Sequence, residues 1–374
     1  MKPKKPKINP SQLNMYTEPI TDIYAALEEQ VFEMIAKRLK TTNDITRDNV
    51  LDWQIDKMNQ LRMVNNETVK SLSKTTGIAE KEIHKAIHKV GIDTINSVDY
   101  ELTDVYNKLD MPSNIDQILE SYVKQTFREF DNFVNQTLID TNYGRGTVSK
   151  MYRKMVEETT AKVLAGTTTT NKAITDTVIK WSKRGIDTAF IDRGGHTWRL
   201  EQYARTVIRS TVNRTYNEQR MSRMEEYDVE FVLVSTLPDP REICSHIQGN
   251  VATLSEEPVD GYPSIYEFGY GEPSGIRGIS CRHMFFPFIP GLNENNQPQY
   301  DESDMKENRE ARQKQRYHER QIRDAKRSKR IAEIMGDEES IDKYKKLVSK
   351  RQARMREFIK ESGRTRQYDR ERVI

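Results

Sequence analysis

Two short spacings hold the metal-binding chemistry of this sequence. Cys244 and His246 stand two residues apart, and Cys281 and His283 repeat that C-x-H spacing further along. On an extended chain, residues two apart point the same way, so each pair can present two ligands to one centre. Two thiolates and two imidazoles make a closed tetrahedral set of the kind that holds structural zinc. Between the pairs the chain is rich in turn formers: nine of the residues in 249–278 are Gly or Pro. Few apolar side chains are left there to hold the loop closed, and a metal clip would offset much of the entropy lost in ordering it. Structural zinc sites more often use C-x2-C spacing, so two other readings stay open. One is a pair of buried thiols beside hydrogen-bonded histidines; the other is a disulfide.

Asp239, Arg241 and Glu242 lie beside Cys244 and could act as acid, base or further ligand. A catalytic zinc typically has three protein ligands and an open position, and four candidates leave no obvious vacancy. The sequence has no H-E-x-x-H, G-x-S-x-G, phosphate-binding loop or G-x-G-x-x-G. GYGEPSG at Gly269 to Gly275 is glycine-rich but lacks the lysine and the helix that a nucleotide loop needs. His196 stands alone and reads as a turn or packing residue. The chain is therefore expected not to be an enzyme, with no catalytic or cofactor-binding residues apart from the four metal candidates Cys244, His246, Cys281 and His283.

The elements that position these residues follow from hydrophobic spacing. Ile23, Leu27, Val31, Ile35 and Leu39 step by four and share one helical face. Leu51, Ile55, Met58 and Leu61 keep a helical period, as do Ile83, Ile87 and Val90 after Gly77. Pro112 breaks the pattern, with Ser113 or Asn114 as the cap of a helix through Ile115, Leu119, Tyr122, Phe127, Phe130 and Val134. Gly144 and Gly146 mark a turn before a helix holding Val148, Met151, Tyr152 and Met155. Thr167 to Asn171 end that helix and cap another, which carries Ala173, Ile174, Val178 and Trp181. Gly194 and Gly195 make a turn, and a helix starting near Leu200 buries Tyr203, Val207, Val212 and Tyr216. At residues 229–236 the character changes: VEFVLVST is short, apolar and β-branched, which predicts a strand.

The organisation expected is a helical N-terminal region over 1–165, a core over 166–292 with a small α+β domain at about 197–292, a linker over 293–300, and a charged helical tail over 301–374. The fold class is mainly α and elongated, with the small α+β domain in the middle and long charged helices at the C-terminal end. In the tail, a long exposed helix is separated by Gly336, with Asp337 as cap, from a helix striped by Tyr344, Leu347, Val348, Met355 and Phe358. That stripe needs a partner, either the body or another subunit. The tail's low apolar content predicts that the body folds without it.

Composition agrees. Of 374 residues, 35% are hydrophobic and 31% charged, and the mean hydropathy is −0.83. That is too polar for one compact ball and too apolar for disorder throughout. No apolar run reaches eighteen residues, which excludes an integral helical membrane protein. The basic N-terminus MKPKKPKINP has no apolar segment after it and does not read as a secretory signal. Two cysteines exclude a disulfide scaffold and point to intracellular synthesis. The net charge of +3 conceals an asymmetry, since residues 301–374 carry 23 basic and 16 acidic side chains. A basic tail on a mildly acidic body predicts a polyanion or an acidic surface as its partner, against the plainer reading of a solvated, salt-bridged helix.

Several blocks in order resemble the phage minor capsid protein 2 family of tailed phages. They are GIDTAFIDRGGHTWRLEQYARTVIRST, VEFVLVST, Cys244 with Ile247 to Gly249, the Tyr/Gly-rich loop, ISCRHMFFPFIPG, and QKQRYHERQIRDAKR. Together they span roughly residues 160 to 330. The resemblance implies a virion structural protein, made in the bacterial host's cytoplasm and built into the head in few copies near the portal vertex. Its implied partners are the portal and major capsid proteins, with packaged double-stranded DNA for the basic tail and no membrane. Wider relatives carry C-x2-C in the first cluster, where this chain has Ile247 in the second cysteine's place and His246 beside it. The competing class is a virion-carried metal-dependent enzyme acting on DNA or protein.

Overall fold

The computed structural model describes residues 10–138, 147–166, 168–191, 195, 197–278 and 281–373. His196, Gly194, and the turn expected at Gly144 and Gly146 lie outside these. The chain is mainly α, with short strands gathered in its middle. In chain order the elements are α1 (Pro10–Leu39), α2 (Val50–Leu102), α3 (Ile115–Leu138), α4 (Thr147–Leu164), α5 (Thr170–Arg184), β1 (Asp187–Ile191), β2 (Thr197–Arg199), α6 (Leu200–Glu226), β3 (Phe231–Val234), α7 (Glu242–Ser245), β4 (Val251–Thr253), β5 (Phe285–Phe288), α8 (Glu302–Met335) and α9 (Glu338–Ser362). None of the described helices is long and apolar enough to cross a membrane.

The chain forms two compact units, each assembled from three separated stretches. One comprises Met1–Ile20, Glu80–Phe127 and Arg205–Gln313; the other comprises Thr21–Ala79, Arg128–Ala204 and Lys314–Ile374. These divisions fall inside α1, α2, α3, α6 and α8, where hydrophobic period carries no break. Each unit thus draws on more than one of the consecutive regions 1–165, 166–292, 293–300 and 301–374.

The first unit contains a three-stranded antiparallel sheet of order β4-β3-β5. Phe231 and Val232 of the central strand pair with Thr253 and Ala252 of β4 and with Phe288 and Pro287 of β5. One face packs Val232, Val234, Ala252, Phe285, Cys244 and Cys281 against Val98, Leu102, Met224 and Tyr227 of α2, α6 and the turn after α6. The other face packs Phe231, Leu233, Val251 and Phe288 under Tyr262.

In the second unit, Leu27, Val31, Ile35 and Leu39 of α1 are all fully buried, as their spacing predicts. Ala173, Ile174, Val178 and Trp181 of α5 are buried as well, and Thr169 caps that helix by accepting from the Lys172 N–H. β1 and β2 pair antiparallel, with Asp187 opposite Arg199 and Ile191 opposite Thr197.

Two expectations meet a different structure. The segments on either side of Gly77 are one continuous helix, α2, in which Leu51 and Ile55 are exposed rather than buried. Gly77 has no atom near the position of a Cβ, so it tolerates helical backbone without marking a break. The tail is not an exposed appendage: α8 buries Ile322, Ala325, Ile331, Ala332 and Met335, and α9 buries Tyr344, Met355 and Phe358. Arg330 pairs with Glu33 and Arg327 with Glu29, the latter at 3.4 Å, while Lys40 donates to the Ile334 carbonyl at 3.0 Å. The break between α8 and α9 is as expected, with Gly336 at φ +70° and Asp337 accepting from the Ser340 N–H at 3.0 Å.

Candidate metal centre

The sheet explains why two distant sequence segments meet. β3 and β5 run antiparallel with Val234 opposite Phe285, so the end of one strand lies beside the start of the other. The chain leaving β3 carries Cys244, and the chain entering β5 carries Cys281 and His283. Ser235 and Met284 lock this end, the Ser235 N–H donating to the Met284 carbonyl and the Met284 N–H to Ser235 Oγ, both at 2.8 Å. Cys244 sits in the single turn of α7, where its N–H donates to the Arg241 carbonyl at 3.0 Å. The turn closes when the Gly249 N–H reaches back to the Val234 carbonyl at 2.9 Å.

The glycine-rich loop between them crosses itself. A Cβ on Gly275 would lie 1.8 Å from the Gly269 carbonyl oxygen, so no side chain fits at that crossing. Arg241 secures it from below, donating to the Gly275 carbonyl at 2.7 Å. GYGEPSG thus serves close backbone packing and forms no phosphate cradle.

Three of the four predicted ligands converge. Cys244 Sγ lies 4.0 Å from Cys281 Sγ, and Cys281 Sγ lies 3.4 Å from His283 Nδ1. All three residues are buried, and their ligand atoms lie within 4.8 Å of one another. Both cysteines are free thiols, so no disulfide joins them. His246 does not take part: it is exposed, at the C-terminal cap of α7. The expectation of a parallel C-x-H pair assumed extended backbone. On helical backbone two residues are rotated by about 200°, which turns His246 away from Cys244.

A fourth residue belongs to the cluster, one that residue type alone does not flag. Gln248 Oε1 accepts from the Leu237 N–H at 3.1 Å and lies 3.0 Å from His283 Nε2. An oxygen already held by a backbone donor can only accept, so His283 Nε2 carries the proton and Nδ1 keeps its lone pair, aimed at the thiols. The electrostatics split the thiols. The hydrogen bond shared with Cys244 holds the Cys281 thiol well below its usual value, helped by Arg277 and opposed by burial. Cys244 is pushed up by that same bond and by burial.

The acid–base reading of the flanking residues finds them otherwise engaged. Asp239 is buried and paired with Arg282 and, at 3.5 Å, with Arg312, while Glu242 is exposed. A second cluster of ligand-bearing side chains lies in the same unit. His84 and His88 of α2 stack at 4.1 Å, and their Nε2 atoms lie 3.3 and 3.6 Å from one oxygen of Glu120 on α3. The i, i+4 spacing of the two histidines was visible in the sequence, but the glutamate that completes the group comes from another helix.

Comparison with known proteins places the chain among phage structural proteins. The family described as Phage minor capsid protein 2 matches residues 8–360, and this chain belongs to that family. A protein of Lactococcus phage LL-H named "Structural protein" is 33% identical over 362 residues, covering 94% of this chain and 98% of that protein. A second "Structural protein", from Lactococcus phage mv4, is 41% identical over 113 residues, covering 30% of this chain and 92% of its own length. No solved structure matches.

Proposed function

We propose that this chain is a minor component of a tailed-phage head, placed at or near the portal vertex, that acts in head assembly and touches packaged DNA through basic side chains of residues 301–374. The observation that carries this reading is the family match over nearly the whole chain. Two features support it. Beyond the buried cluster at Cys244, the sequence holds no recognised catalytic motif, and the flanking Asp239 is consumed by arginines. The excess of basic over acidic residues in 301–374 suits a polyanion, through phosphate contacts that weaken steeply with salt. Placement near one vertex implies few copies. Quantitative mass spectrometry of washed virions tests it: the chain is expected at a copy number like that of the portal protein and far below the major capsid protein. Its absence from washed virions, or a number matching the major capsid protein, would overturn the placement.

A further inference from the structure

We infer that Cys244, Cys281 and His283 form a three-ligand site for zinc, with water as the fourth ligand and Gln248 as the residue that orients the histidine. The distances carry this. With Zn–S near 2.3 Å and Zn–N near 2.05 Å, tetrahedral coordination places two sulfurs about 3.8 Å apart and a sulfur and a nitrogen about 3.6 Å apart. The observed Cys244–Cys281 and Cys281–His283 separations are 4.0 and 3.4 Å, each within a few tenths of an ångström of these values, and all three ligand atoms lie within 4.8 Å of one another.

The protonation pattern is that of a ligand. A metal-bound imidazole typically donates its remote N–H to an oxygen acceptor, which fixes the tautomer and the ring plane. His283 does this through Nε2 to Gln248 Oε1, and the Leu237 N–H holds that oxygen in place. The ring nitrogen that faces Cys281 is the one with the lone pair.

Charge points the same way. Two thiolates, a neutral imidazole and a divalent ion sum to zero, so the assembled site suits a buried position that a lone thiolate would not. A cavity of about 20 Å³ adjoins the site, lined by Asn213, Asn217, Arg277, Arg282, Cys281 and His283 beside Leu13. That is the size of one water molecule. Asn217 Oδ1, on that lining residue, is buried with no hydrogen-bond partner among the described residues, which suits it to accept from such a water.

The site's role follows from its position. It ties the exit of β3 to the entry of β5 across a loop that turns on glycine and proline, so metal binding is coupled to the closure of that loop. The proposal is independent of where the chain sits in the head.

The experiment uses the full-length chain without an affinity tag, prepared under reducing conditions and loaded with zinc or cobalt(II). Elemental analysis after desalting is expected to give one zinc per chain. Cobalt(II) in the unsubstituted protein is expected to show thiolate-to-metal charge-transfer absorption with tetrahedral ligand-field bands, a readout that needs no variant to fold. Cys281→Ser and His283→Ala are expected to lose the bound metal, and His246→Ala to keep it. Gln248→Leu is expected to bind 10- to 100-fold more weakly while still reaching one equivalent at saturation. Zinc far below one equivalent together with octahedral cobalt spectra overturns the site. Retention of metal by Cys281→Ser, or its loss from His246→Ala, overturns the ligand assignment.

Discussion

Asp99 is the residue on which the first unit's buried charge turns. Arg223 binds it in two places, Nε to Oδ1 at 2.6 Å and Nη2 to Oδ2 at 3.0 Å, and the Tyr227 hydroxyl donates to Oδ1 at 3.0 Å. Arg223 is 1% exposed and Asp99 4%, so neither charge has water to fall back on. Asp99→Ala is expected to destabilise the protein by about 3–5 kcal/mol, because it leaves a guanidinium buried with only Glu226 and carbonyls as partners. Arg223→Met with Asp99→Leu should cost less than either charge left alone, since no ion then stays unpaired. Urea unfolding of the three variants checks this; an Asp99→Ala loss under about 1 kcal/mol would show the pair to be dispensable. None of this was legible in the sequence. Nothing in the residues around Asp99 or Arg223 marks them as partners, because the pairing depends on how α2 packs against α6. The metal cluster was legible in part. Residue type pointed to Cys244, Cys281 and His283, but only the local backbone could show that His246 turns away and that Gln248 turns in.

At the scale of elements, local signals were dependable and burial was not. Pro112 places the start of α3, and its carbonyl accepts the Ile115 N–H at 3.1 Å. Gly336 and Asp337 place the break between α8 and α9. Asp337 also accepts from Ser340 Oγ at 2.9 Å, and Lys172 of α5 lies 3.8 Å away. Asp337→Ala is expected to cost about 1–2 kcal/mol, the upper part of the usual N-cap range, because the residue is buried and serves two donors. Thermal unfolding reads this; a melting temperature equal to the parent's would contradict it. Charge misled at this scale. α8 looks solvated because arginine, lysine and glutamate dominate it, yet it buries Ile322, Ala325, Ile331, Ala332 and Met335, and its Arg327 and Arg330 meet Glu29 and Glu33 of α1. Low mean hydropathy describes the whole helix, whereas packing depends on one stripe of it. Removing residues 301–374 is therefore expected to abolish the cooperative unfolding transition of the second unit, since it exposes the buried stripe of α1. Circular dichroism melting of the truncated chain checks this, and a truncated protein that melts as sharply as the full chain would restore the view of the tail as an appendage.

For the whole molecule, the mainly α class and the small antiparallel sheet follow from the period-four stripes and from the single β-branched segment. The two compact units do not, because each is built from three stretches far apart in sequence and the divisions fall within helices. The functional reading rests on family membership, beside which stand a buried cluster that closes a loop and a basic C-terminal segment whose residues 314–374 belong to the second unit. The central claim is the chain's place at the portal vertex, and cross-linking mass spectrometry on intact, washed heads tests it most directly. The account predicts that cross-links from this chain concentrate on the portal protein and on the few capsid subunits around it. Cross-links spread evenly over the major capsid protein, with none to the portal, would contradict it.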